Sequence, residues 1–127
     1  MKKLAHIGLI IVLSLFDVFH ILVLTGIIPY TMIWGGRLHD INEMYRMETV
    51  SVILNTYFLV IILIDAGLLK LNWPAKLIRY SIIGMALLFL LNTLGNLFSE
   101  NRLETLLFTP ITLVLAALSL VLVIKKN

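Results

Sequence analysis

Residues 47–71 read METVSVILNTYFLVIILIDAGLLKL, and no charged side chain interrupts them between Glu48 and Asp65. A hydrocarbon core about 30 Å thick is crossed by about 20 helical residues, so the stretch is long and apolar enough to span a bilayer. Its few polar residues are ordered. Glu48, Ser51, Asn55, Phe58, Ile62, Asp65 and Leu69 follow one another at alternating steps of three and four, which lays them along one face of a helix. In lipid no hydrophobic force joins helices, so a face carrying small and hydrogen-bonding residues is expected to turn toward other helices.

The rest of the chain has the same character. Of its 127 residues 61% are hydrophobic and 13% charged, and ten Lys/Arg with seven Asp/Glu cannot cover the exterior of a water-soluble domain. The absence of cysteine excludes disulfides, thiolate metal sites and cysteine nucleophiles. Apolar runs at about residues 4–28, 77–97 and 103–124 join 47–71 to give four spans. The expected fold is all-α: an integral membrane antiparallel four-helix bundle, one transmembrane domain over residues 1–127. An outer loop covers residues 29–46, with the second helix starting near Ile41, because Asp40-Ile41-Asn42-Glu43 reads as a capping box. Asn101 and Glu104 read the same way before the fourth helix. Asn72-Trp73-Pro74 divides the second helix from the third, with Pro74 in the first turn of the latter. Pro110 lies inside the fourth and is expected to kink it. The N-terminal run imitates a signal peptide. It continues past Asp17 and His20 to Ile28 without a small-x-small cleavage site, so it is expected to stay attached.

Basic residues near span ends set orientation. Lys2, Lys3, Lys70, Lys76, Arg79, Lys125 and Lys126 fall on one side, and Arg37, Arg46 and Arg102 on the other. Both termini are therefore expected in the cytoplasm, with the chain in the plasma (inner) membrane. Tyr30, Trp34 and Tyr45 outside, with Trp73 and Tyr80 inside, suit the aromatic belts of the two interfaces.

The other spans also carry one polar or small stripe each: His6, Ile10, Leu13, Asp17, His20 and Leu24; Ser81, Gly84, Leu88, Asn92, Gly95 and Ser99; Thr105, Thr109, Thr112, Ala116 and Ser119. At about 1.5 Å per residue from each span's midpoint, His20, Asn55, Asn92 and Thr109 fall within about one turn of each other in the outer half. They are the expected ligand-binding layer of a vestibule open to the outside. Ionisable groups near the bilayer centre cost several kcal/mol, which makes Asp17 and His20 functional candidates, able to share a proton at i, i+3. Glu48 is a further weak catalytic candidate at the outer rim, as an acid or base or as a solvated carboxylate in the first turns of its helix. Asp65 is expected to pair with Lys76 or Arg79, and His6 to be solvated. Ile33-Trp34-Gly35-Gly36-Arg37 reads as a lid or as a plain interfacial turn.

No Glu-x-x-His, His-x-x-x-His, nucleotide-binding loop or nucleophile elbow occurs, so no metal, cofactor or nucleic-acid partner is expected. In layout, two same-facing hairpins with a long first outer loop, a carboxylate at the top of the second helix and a short basic turn after it, the chain resembles the emopamil-binding-protein and sigma-2-receptor superfamily. It resembles the small DoxX-like four-helix proteins equally. The first resemblance implies a sterol-like ligand inside a membrane bundle, with Glu48 the one position carried across; topology alone does not transmit activity. The leading functional expectation is binding of an apolar or lipid-like small molecule in the vestibule, with membrane lipids as surroundings. Its rivals are an oligomeric ion or proton pathway using Asp17 and His20, assembled as a homo-oligomer, and a structural or accessory membrane subunit.

Overall fold

Each apolar run folds as one α-helix, and two glycines decide where the first two stop. The computed structural model describes residues 2–29, 40–98 and 102–124, and contains α1 (Lys2–Leu24), α2 (Ile41–Asp65), α3 (Ala75–Leu97) and α4 (Arg102–Ile124). All four helices are long and apolar enough to cross a membrane. The lid stretch Ile33-Trp34-Gly35-Gly36-Arg37, the Asn101/Glu104 cap and the C-terminal Lys125 and Lys126 lie outside the described residues and side chains.

The Asp40 cap forms as its sequence implies: its side chain accepts a hydrogen bond from the Glu43 N–H at 2.7 Å, satisfying a donor that the first turn of α2 cannot use. The ends of α1 and α2 differ from the apolar runs, which reach Ile28 and Leu71. Gly26 (φ 85°) and Gly67 (φ 79°) take the left-handed conformation just past the last turns. Ile27 N–H then bonds the Leu22 carbonyl and Gly26 N–H that of Val23, and Leu68 and Gly67 repeat the pattern on Leu63 and Ile64. This pair of bonds closes a helix on its own carbonyls, whatever the hydropathy of the residues that follow. Pro74 stands one position before α3 rather than in its first turn, and no side chain caps that end. α4 continues as one helix through Pro110, which cannot give an N–H to the Leu106 carbonyl.

Residues paired between α1 and α2 run in opposite order along the chain: His6 with Asp65, Leu13 with Asn55, His20 with Glu48. Their polar stripes therefore meet. α3 packs most extensively on α4, through Thr93 and Thr112 (2.9 Å) and Thr105 to the Asn96 carbonyl (2.8 Å). α1 meets α4 closely at Gly8, where an added Cβ would stand 2.9 Å from Leu118 Cδ1. The loosest seam is between α2 and α3. There Tyr57 bonds Ser81 at 2.6 Å and stacks on Trp73, and Phe58 meets Phe89.

The core is apolar and sits toward the end of the helices where α1 begins: Leu9, Leu13, Ile61, Ile62, Met85 and Leu115 are fully buried. Outward faces are equally apolar. Leu15, Ile53, Leu87, Leu106 and Leu113 are each more than half exposed, a surface that matches acyl chains and would be a liability in water. On α3 the expected inward stripe is turned by one residue. Gly84 and Asn92 are exposed, whereas Ile82, Met85, Ala86, Phe89 and Thr93 are buried. A helix that is apolar nearly all round leaves its rotation to its neighbours, and here Thr93 turns to α4 while Phe89 meets Phe58 of α2.

Candidate ligand-binding site

Beyond the core, α2 and α3 enclose a cavity of about 490 Å³. Phe58, Leu88 and Phe89 line it on the side nearest the core, Phe16, Phe19 and His20 come from α1, and Phe108 and Thr112 from α4. Val50, Leu54 and Leu91 line it as well, yet are 61%, 37% and 64% exposed. Residues that face both a cavity and the exterior mark its opening, so among the described residues the space reaches the lipid-facing surface through the α2–α3 seam.

One wall is polar. His20 Nδ1 lies 2.5 Å from Glu48 Oε2, and Glu48 is fully buried although its carboxylate stands only about two turns inside α2. This corrects the reading of Glu48 as a solvated carboxylate: α1 covers that face of α2, and a carboxylate withdrawn from water needs a hydrogen-bonded partner, which the imidazole supplies. It also corrects the pairing of His20 with Asp17. Asp17 Oδ2 instead accepts from Thr56 Oγ1 at 3.1 Å, and its Oδ1 is buried with no hydrogen-bond partner among the described residues. The His20 ring is packed edge-on by Phe16 and Phe19, and Phe108 meets both of those rings edge to face. Such packing fixes the plane of the imidazole.

Of the residues expected to form a ligand layer, His20, Asn55 and Asn92 line this cavity, and Thr109 does not. Thr112, one turn further along α4, holds the corresponding place, while the Thr109 hydroxyl is buried without a partner among the described residues. Asn55 Nδ2 donates to the Leu13 carbonyl at 2.8 Å, so part of its hydrogen-bonding capacity ties α2 to α1. Asn96 donates to Thr112 at 3.4 Å. Asn92 is exposed at the seam and makes no side-chain hydrogen bond to a described residue. Sequence reasoning named Phe58 but missed the other phenylalanines of the lining, Phe16, Phe19, Phe89 and Phe108. Spacing places Phe16 and Phe19 beside His20, but nothing in a run of Leu, Ile and Phe tells a cavity-lining ring from a lipid-facing one.

At the other end, His6 Nε2 and Asp65 Oδ2 are 2.7 Å apart. This corrects two expectations, a solvated His6 and an Asp65 paired with Lys76 or Arg79. With α1 and α2 side by side, His6 lies level with Asp65, and Arg79 points to α4, where it donates to the Val123 carbonyl at 3.4 Å. No group of three His, Asp or Glu side chains able to hold a metal occurs among the described residues.

No protein-family model matches the chain, and neither a curated protein nor a solved structure does.

Proposed function

We propose that the protein is a small multi-pass membrane protein that binds an apolar or lipid-like small molecule in the cavity between α2 and α3. The observation that carries this reading is the cavity itself. About 490 Å³ falls within the range of drug-sized ligand sites, its lining is mostly aliphatic and aromatic, and its polar groups gather on His20, Glu48, Ser51, Asn55, Asn92 and Asn96. Among the described residues no Lys or Arg lines it, so the favoured ligand has no net negative charge and offers a hydroxyl, carbonyl or amine to these groups. Access through the α2–α3 seam lets a membrane-dissolved molecule enter sideways without crossing water.

This reading includes an antiparallel four-helix bundle with both termini in the cytoplasm of a plasma-membrane protein, as the distribution of basic residues favours. The cavity then lies in the outer half. A continuous proton path within one chain is disfavoured. Leu9, Leu13, Ile61 and Ile62, with no exposed surface, fill the space between the His20–Glu48 and His6–Asp65 pairs.

Gly95 provides the test. It lines the cavity and an added Cβ meets no atom within 4 Å, so Gly95→Leu starts into open space and is expected to occupy part of the cavity. Native mass spectrometry of protein released from mild detergent is expected to show a discrete bound mass on the wild type that Gly95→Leu and Asn92→Leu lose. A higher oligomer without bound species would move the reading to an ion or proton pathway. A bare monomer, unchanged by either variant, would leave a structural or accessory subunit.

A further inference from the structure

A second cavity lies at the opposite end of the helices, about 310 Å³, lined by Lys2 at the start of α1, Asp65 at the end of α2, Ala75 and Arg79 in the first turns of α3, and Val123 in the last turn of α4. Its deeper walls are Ile64, Ile78, Ile82 and Leu122. The arrangement is a polar mouth above an apolar groove, on the end of the molecule where Lys3, Lys70 and Lys76 also gather.

Among the described residues the mouth has more cations than free carboxylates: Asp65 is engaged by His6 at 2.7 Å, and neither Lys2 nor Arg79 forms an ion pair with a described residue. The Arg79 guanidinium has only the Val123 carbonyl, at 3.4 Å. Both cations also stand near helix starts, where the backbone already presents partial positive charge, and neither α1 nor α3 has an acidic residue in its first turn. Two cations at two positive helix ends are relieved by an anion between them.

We propose that this cavity binds the phosphate of an anionic phospholipid headgroup, with Lys2 and Arg79 as its ligands and the isoleucine-lined groove holding the upper part of an acyl chain. The apolar walls favour a lipid over a free anion, and basic pockets between membrane helices on the cytoplasmic side recognise headgroups in this way. The site does not share a lining residue with the α2–α3 cavity, so either proposal can fail alone.

The test is titration of the detergent-solubilised protein with phosphatidylglycerol and, separately, phosphatidylcholine, with adducts measured by native mass spectrometry. A basic residue near the surface contributes about fivefold in affinity, so Lys2→Gln should weaken phosphatidylglycerol binding about fivefold and Lys2→Gln with Arg79→Gln about thirtyfold. The single variant keeps the proposal testable should loss of the Arg79–Val123 contact disturb the end of α4. Equal retention of both lipids by the wild type, or unchanged phosphatidylglycerol affinity in Lys2→Gln, overturns the proposal. Displacement of the lipid by excess inorganic phosphate would assign the mouth to a free anion and overturn the lipid assignment.

Discussion

Replacing His20 with leucine takes the imidazole away from a carboxylate that solvent does not reach, since Glu48 has no exposed surface and its Oε2 lies 2.5 Å from His20 Nδ1. Breaking a buried pair from one side costs about 3–5 kcal/mol in soluble proteins. Hydrogen bonds between membrane helices are worth less, about 0.6 kcal/mol on average and about 1.7 at most, because the unfolded helix stays in the bilayer. Glu48 borders the same cavity and keeps other contacts when the imidazole is removed, so His20→Leu falls between the two figures, a loss of about 2 kcal/mol. Glu48→Leu is milder, about 1 kcal/mol, because the half-buried imidazole borders the cavity and can be hydrated there. The double variant replaces the pair with apolar groups and is expected within about 1 kcal/mol of the wild type. The cycle is read by reversible unfolding in mixed dodecylmaltoside and dodecyl sulfate micelles, followed by circular dichroism. The expected coupling is about 2 kcal/mol or more; additive losses, with coupling under about 0.5 kcal/mol, would refute the claim that this contact joins α1 to α2 at the cavity.

The same unfolding assay separates two kinds of glycine. Gly67→Ala forces a side chain into φ 79° and should cost about 1 kcal/mol, whereas Gly84→Ala, whose Cβ meets nothing within 4 Å, should be neutral or stabilising by up to about 1 kcal/mol. Thr93→Val and Thr112→Val each remove the 2.9 Å hydroxyl contact between α3 and α4, and should lose about 0.6 to 1.7 kcal/mol with strong non-additivity in the pair. Asp40→Ala removes the cap on Glu43 N–H and should cost about 1 kcal/mol, visible also as faster amide exchange in the first turn of α2.

Local chemistry was legible wherever it depended on neighbours in sequence. Asp40 announced the start of α2, and the long apolar runs announced four helices, because capping and bilayer length are rules about a single segment. The ends of α1 and α2 were within the same reach: Gly26 and Gly67 carry the stop signal, but a reading guided by hydropathy runs past them to Ile28 and Leu71. The cavity was legible in part. His20, Asn55 and Asn92 fall on it because helical rise measures depth well; Thr109 does not line it, since depth says nothing of rotation and one residue turns a helix by about 100°.

The sequence by itself determined four helices of membrane-spanning length, the Asp40 cap of α2, and the polar face of α1 and α2, each a property of one segment and its period. Only the tertiary structure decided which polar groups meet: Glu48 rather than Asp17 at His20, His6 rather than Lys76 or Arg79 at Asp65, Thr93 rather than Asn92 against α4. Those choices depend on the offset and rotation of one helix against another. Apolar residues on nearly every side of α3 leave that rotation free until packing sets it, and the same packing leaves the α2–α3 seam open beside the buried His20–Glu48 pair.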